Sequence, residues 1–486
     1  MRLHSLPLPK TNLGPVVWVT VLSLVILGIA AGTIPSFLDR KILTLLVLLI
    51  LGLAGYRWPL FVVLLATVAV CIISPPVVGY ITGVDYGTPG TTGLDAFLKL
   101  HPATIPLVTS IMTCLIFRPR LLTKAITAHK WIKHCTLLMS FFIVSVFVLN
   151  FALHGSSGLA QLLDNFCGPF SLFLLLLIAS YSKPKSARLF QAFIILVAAA
   201  AAYSILEYVT GENFLVSVWE TQQWFVQHPV VYRSMSFIGH PVWNGQYYVA
   251  AGLLSAVLLP RRYRLPLLLV FFGGTICTGT RSAFVNLAVG CFLLFILEAL
   301  GPRRGLKEYV GVLAVGITLA IGCYFLLTSS FGLSMLDRFL NDYGSTEFRV
   351  EAWQYIMTFP FHEILLGKGL GYSYELAEAY FGRVRAFENP WFMLAVDVGI
   401  PLILTYVMAL VCISLSLVLR SGKSFYWDAS IISRIRRVIP FVFLLLMMSF
   451  HNSFGGRTPL NYLPWLAGGL LVCHSLFERS IDRGEP

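Results

Sequence analysis

Residues 331–388 read FGLSMLDRFLNDYGSTEFRVEAWQYIMTFPFHEILLGKGLGYSYELAEAYFGRVRAFE, the longest polar interval in a chain that is apolar nearly everywhere else. It holds Arg338, Arg349, His362, Lys368, Arg383, Arg385 and Glu388, and an apolar run stands on each side. Irregular backbone beside membrane-type segments must be wetted or buried in protein. The interval is therefore expected to fold over something, as the roof of an active site at the outer face of a membrane. Its charge is −3, from five basic and eight acidic residues, so its arginines are not a simple basic cloud. Within it a helix is expected from about 346 to 358, capped by Ser345 and with Glu347 complementing its N-terminal dipole. Gly367, Gly369 and Gly371 then make a flexible turn.

Outward from this stretch, the composition is that of a polytopic membrane protein. Apolar residues make up 57% of the chain, charged residues 12%, and the mean hydropathy is +0.80, where about 20 apolar residues suffice for one crossing. The net charge of +13 is explained by Lys and Arg collecting in cytoplasmic loops, so no nucleic-acid partner is expected. The nine cysteines fall in or beside apolar runs and form neither a disulfide framework nor a metal-type spacing. No cofactor is expected.

The fold class expected is all-α, with about fourteen spans near residues 14–33, 41–56, 58–79, 101–117, 135–153, 163–181, 189–208, 243–260, 265–280, 283–300, 308–328, 390–419, 438–450 and 461–477. The first is read as an uncleaved helix rather than a signal peptide. With both termini in the cytoplasm, the inner segments contain 24 of the 35 basic residues, as the positive-inside rule requires. Three units follow: an N-terminal bundle over 1–230, a core over 231–420 that includes the outer loop 329–388, and a C-terminal pair over 421–486.

Arginines on the outer side run against that rule and are the first candidates for function. Arg233, Arg281 and Arg349 come from three different loops, near span ends or a helix start. Arginine is always charged and grips phosphate oxygens in a bidentate fork, so a converging set would suit a diphosphate. Snorkelling or salt bridges to the loop carboxylates are the plainer alternative. Arg281 deviates most, because its turn has almost no other charge. Among outer histidines, His240 follows Arg233 by seven residues and precedes a span, and His362 and His451 lie in outer loops with Arg457. Glu388 ends the long loop and suits a general base or a helix N-terminal charge. Asp397 lies about two turns into the span that follows. A buried acid there is a functional candidate, or the partner of an arginine. Asp164, Glu207 and Glu298 sit nearer span ends.

Five local features resemble the bacterial O-antigen ligase and O-antigen polymerase superfamily. Thr280-Arg281-Ser282-Ala283 is similar to its Ser-Arg-Gly/Ser turn opening a span, and Phe348-Arg349 with Trp353 to its loop helix beginning Arg-x-x-x-Trp. Phe359-Pro360 with Leu366-Gly367-Lys368-Gly369-Leu370-Gly371 resembles its proline and glycine turn. Glu388-Asn389-Pro390-Trp391-Phe392 through Asp397-Val398-Gly399-Ile400-Pro401 resembles its His-Asn region. Arg233 with Phe237, His240-Pro241 and Asn244 resembles its Arg-x-x-Gly-x-Phe-x-x-Pro-Asn region. The resemblance covers roughly residues 230–415.

It implies a metal-independent, multi-span glycosyltransferase of the bacterial plasma (inner) membrane. The donor would be an oligosaccharide on undecaprenyl diphosphate, with other polysaccharide assembly proteins and membrane lipid as partners. Arg233, Arg281 and Arg349 would hold the diphosphate and Glu388, or else His240, would take the acceptor proton, with Asn389, Asp397, His362, His451 and Arg457 in support. Where ligases carry a loop histidine before Asn, this chain has Glu388. That favours a polymerase of exopolysaccharide or O-antigen repeats over a ligase acting on lipid A-core. A secondary transporter or flippase is the reading from another class; charges clustered at one face, without paired helix breaks, favour the enzyme.

Overall fold

The computed structural model describes residues 37–55, 57–72, 99–155, 158–181, 186–216, 233–299, 324, 328, 345–381, 387, 389–419, 429–449 and 459–482. All regular structure among these residues is helical. The chain begins with α1 (Phe37–Gly55), α2 (Pro59–Ile72), α3 (Thr104–Phe117), α4 (Pro119–Thr127) and α5 (Lys130–His154). A short turn (Leu159–Leu162) and a π-helical turn (Leu163–Cys167) lead into α6 (Gly168–Tyr181). Then come α7 (Ser186–Thr210), α8 (Pro241–Leu258), α9 (Arg261–Thr278) and α10 (Arg281–Ala299). The polar interval supplies α11 (Ser345–Thr358), α12 (Phe361–Leu366) and α13 (Tyr372–Phe381). The chain closes with α14 (Pro390–Val398), α15 (Ile400–Val418), α16 (Ala429–Met448) and α17 (Tyr462–Asp482), the last preceded by a 3-10 turn at Pro459–Asn461.

Among the described residues five segments are long and apolar enough to cross a membrane, or six if the bent pair α3–α4 is one crossing. They are Lys130–His154, Leu159–Ser180, Leu189–Thr210, Arg281–Ala299 and Ile400–Val418, each on an apolar run expected from the sequence. Helices α1, α2 and the apolar part of α17 are shorter. The runs expected at 14–33 and most of 308–328 lie outside the described residues.

A helix that is apolar all round belongs at the centre of a bundle. Two fit: the segment Leu159–Ser180 is 89% buried, and α8 is buried continuously from Trp243 to Ala256. Around α8 pack α7, α9, α10 and α16; against α6 pack α2, α3 and α17. Tyr247 and Tyr248 of α8 bury their rings fully and donate their hydroxyls to the Val70 and Ala200 carbonyls at 2.8 and 3.0 Å.

Two breaks are written in the local sequence. Arg118 precedes Pro119, and the residue before proline is driven out of the helical region; at φ −135° it ends α3, and α4 departs at 105°. Gly399 has φ +87°, a conformation side chains with a Cβ avoid, and Pro401 follows in the first turn of α15. The single span expected at 390–419 is thereby divided. Asp397, in α14, stands outside the crossing helix rather than two turns into it.

The polar interval has a core of its own. Ala352, Ala377, Phe387, Phe392, Met393 and Val396 are buried together, with Tyr355 stacked on Phe387 at 5.5 Å and Phe359 edge-on to Phe392 at 5.7 Å. The expected helix after Ser345 is present as α11.

Candidate functional site

The site is built from the last turn of α7 upward. Glu207 is fully buried there. Its carboxylate accepts from the Ser234 hydroxyl at 2.7 Å and from the backbone N–H groups of Met235 and Ser236 at 2.9 and 2.7 Å. These three hydrogen bonds fold residues 233–236 into a compact turn. Ser236 carries φ +47°, a strain of order 1–3 kcal/mol for a residue with a side chain. Its hydroxyl is tied to the Ala200 carbonyl at 2.9 Å.

That turn delivers Arg233 to the end of α9. The Ser234 N–H donates to the Cys277 carbonyl at 3.1 Å. Arg233 donates through Nε to the Thr278 carbonyl at 2.9 Å and through a terminal nitrogen to Thr280 Oγ1 at 3.2 Å. A cation at a helix C-terminus is favoured by the helix dipole. Gly279 then reverses the chain at φ +59°, and Arg281 opens α10 one peptide beyond Thr280.

His240 arrives from the other side of the same turn. It is the N-cap residue of α8, extended at φ −146°, with Pro241 following. Its ring lies 4.8 Å from that of Trp243, nearly parallel. The Asn244 amide nitrogen donates to the Met235 carbonyl, and Thr280 Oγ1 donates to the Pro241 carbonyl at 3.2 Å. Gly245 lets α8 and α10 meet: a Cβ there would come within 2.9 Å of Ala283 Cβ and 3.1 Å of Thr280 Cβ. Arg233, His240 and Arg281, read from separate segments of the sequence, thus gather where α8 and α10 begin and α9 ends, and all three are half-buried. The N-termini of α8 and α10 meet here beside the C-terminus of α9, and a helix N-terminus favours an anion.

No protein-family model matches this chain, and no curated protein matches it either.

The remaining expected residues fall elsewhere. Asn389 caps α14, its Oδ1 accepting from the Phe392 N–H at 3.1 Å. Asp397 is buried and caps α13: its oxygens accept from the backbone N–H of Ser373 at 2.7 Å and of Gly371 at 3.2 Å. Burial pushes its carboxyl up to about 7, against the pull of those two amides. Its partners are backbone groups, which gives it a structural task. The glycine turn before α13 is likewise a strut. Lys368 and Gly369 donate to the Val396 and Asp397 carbonyls at 2.8 Å each, and Leu370 N–H donates to Asn150 Oδ1 of α5 at 3.0 Å. At Gly367, with φ +78°, a Cβ would sit 2.5 Å from the Val398 carbonyl carbon. His362 is exposed on α12. Arg349 lies in α11, its side chain outside the described residues, as are Glu388, His451 and Arg457. Among the described residues no group of three His, Cys, Asp or Glu is placed to hold a metal ion.

Sequence reasoning ranked Glu207 low, yet it organises the Arg233 turn. Its only mark in the sequence is an acid in the last turn of an apolar run. Glu298, ranked equally low, gathers arginines at the opposite end of α10. Arg261 reaches it at 3.0 Å, Arg264 at 2.7 Å and Arg436 at 3.0 Å.

Proposed function

We propose that this chain is a glycosyltransferase of the bacterial plasma membrane that polymerises oligosaccharide repeat units carried on undecaprenyl diphosphate. The observation that carries the reading is the docking of Arg233 onto Thr278 and Thr280, with Thr280, the residue before Arg281, bonded in turn to the carbonyl of Pro241, the residue after His240. Such a cluster is fitted to grip a diphosphate and to leave a histidine near the atom that reacts.

The orientation follows from α10. Arg281 and Glu298 are 17 residues apart, about 26 Å along a helix, which is close to the hydrocarbon thickness of a bilayer. The Glu298 end is rich in arginine and belongs in the cytoplasm, so the Arg281 end faces outward. On this reading the chain makes about fourteen crossings and both termini are cytoplasmic.

In the reaction an acceptor sugar hydroxyl attacks the anomeric carbon of the donor. The carbon–oxygen bond to the diphosphate breaks, its electron pair leaves with undecaprenyl diphosphate, and the hydroxyl proton passes to a base. Arg233, Arg281 and Arg349 stabilise the leaving charge, so no acid is needed. Glu388 is the base that the family resemblance favours, and His240 is the one that the geometry favours; Glu388→Gln and His240→Ala, compared across pH at equal expression, decide between them.

The test is incubation of the purified protein with one lipid-linked repeat unit. A ladder of products is the expected result. Transfer only to a different acceptor would make it a ligase, and no transfer to any acceptor would overturn the enzyme reading.

A further inference from the structure

Helix α11 of the polar interval has three faces where a surface helix needs two. At about 100° per residue, Ala352, Tyr355, Ile356 and Phe359 fall on one side, and these pack into the interval's own core. Glu351, Gln354 and Thr358 fall on a second side and are exposed. Val350, Trp353 and Met357 fall on a third, and they are exposed as well, Trp353 by 55% and Met357 by 79%. A helix set between a core and water carries one apolar stripe and one polar face. The third face calls for a second apolar medium. It continues past Pro360 into α12, where Phe361, four residues beyond Met357, is 64% exposed.

The level of this patch is set by α15. Leu365 and Leu366 of α12 lie against Gly399, where a Cβ would come within 2.7 Å of the Leu365 carbonyl oxygen. Gly399 is the N-cap of Ile400–Val418, a helix long and apolar enough to cross a membrane. The N–H groups of Lys368 and Gly369 bind the Val396 and Asp397 carbonyls just before it. Leu404, Met408 and Val411 form an exposed stripe on α15 at i, i+4 and i+7. Helix α12 is therefore strapped to the rim of a helix whose own bare side chains belong in lipid. Exposed apolar surface of this size marks a protein or a membrane contact. The seating on α15 selects the membrane, and a tryptophan at that level suits the boundary between headgroups and acyl chains.

We propose that α11 and α12 lie in the surface of the bilayer, with Val350, Trp353, Met357 and Phe361 among the lipids and Glu351 and Gln354 in water. An amphipathic helix in the plane of the headgroups is held in this way. Part of the longest polar interval of the chain is then a membrane-embedded element. The inference rests on the membrane reading of the chain but on none of the chemistry proposed around Arg233.

The test places nitroxide spin labels on the full-length protein in phosphatidylcholine nanodiscs. Single cysteines are introduced by Trp353→Cys and Met357→Cys on the third face, Glu351→Cys and Gln354→Cys on the polar face, and Leu404→Cys on α15. The native cysteines among the described residues are buried or half-buried, and labelled wild type supplies the background. Paramagnetic resonance then reads collision with oxygen, which concentrates in lipid, and with a water-soluble nickel chelate. Labels at 353 and 357 are expected to favour oxygen over nickel several-fold more than labels at 351 and 354, and to approach the label at 404. Nickel collision at 353 and 357 equal to that at 351 and 354 would put the third face in water and overturn the inference. Shielding from both reagents would put a protein on it, a second copy included, and would overturn it too. If Trp353→Cys does not fold, Met357→Cys carries the test. Free access of nickel to position 404 would overturn the membrane reading itself, a result distinct from a wet third face beside a lipid-facing α15.

Discussion

At the Glu298 end of α10 three arginines from α9 and α16 close on one carboxylate, whereas at the other end Arg233 is fixed by a carbonyl and a hydroxyl beside Arg281. Ion pairs to one carboxylate join the first set and lock three helices together. The bonds to a carbonyl and a hydroxyl at the second end orient a guanidinium. One residue type therefore ties helices together through a carboxylate at one end and docks on a carbonyl and a hydroxyl at the other.

The contrast breaks most visibly at Glu298. Glu298→Ala leaves buried arginines facing each other and is expected to cost about 3–5 kcal/mol of stability, read by thermal unfolding in detergent. Arg261→Ala, at the exposed edge of the same knot, should cost less than about 1 kcal/mol. Equal losses in the two would show that the knot does not act as a buried ion cluster.

At the opposite end the expectation inverts, with little change in stability and a large one in transfer. Arg281→Ala should lower turnover by about 30- to 1000-fold, equivalent to about 2–4 kcal/mol. Arg281→Lys should be nearly as damaging, because an ammonium cannot reproduce the bidentate fork. Full activity in the lysine variant would reduce Arg281 to a structural charge.

Glu207 stands between the two kinds of role: it is a buried acid that holds the turn carrying Arg233. Glu207→Gln is expected to cost about 1–3 kcal/mol of stability and to slow transfer about tenfold, with kcat falling more than KM rises. A stability loss with unchanged kcat would make it scaffolding only.

The smallest effect is expected in the roof. Asp397 binds its proton more tightly folded than unfolded, because its carboxyl is raised to about 7 from an ordinary value near ~3.9. Its contribution is complete below the unfolded value and is lost as pH rises through about 7. Between pH 6 and pH 8 the loss should be about 1 kcal/mol. Asp397→Asn, which keeps an oxygen for the Gly371 and Ser373 amides, should flatten that slope; an unchanged slope would assign the titration elsewhere.

Part of the helical layout was legible because a helix long enough to cross a membrane announces itself as a long apolar run, and because Ser345 marks the start of α11. Arg233, His240 and Arg281 were on the shortlist drawn from the sequence, as was Arg349, whose side chain lies outside the described residues. What joins them was not. Gly245 and Thr280 decide the approach of α8 and α10, and nothing in a linear chain marks a glycine as a contact point between helices. Glu207 was missed because a single acid at a span end looks the same whether it meets water or three donors. Asp397 was misplaced because an apolar run does not record where its helix breaks.

The knot at Glu298 also has a history in time. Arg261 and Arg264 are made before Glu298, but Arg436 follows it by 138 residues. At roughly 5–20 residues per second of synthesis, the carboxylate spends on the order of ten seconds with two of its three partners. Helix α16 is then the piece that completes this knot, and a chain stopped short of residue 436 would leave the ribosome with the seam at Glu298 still open.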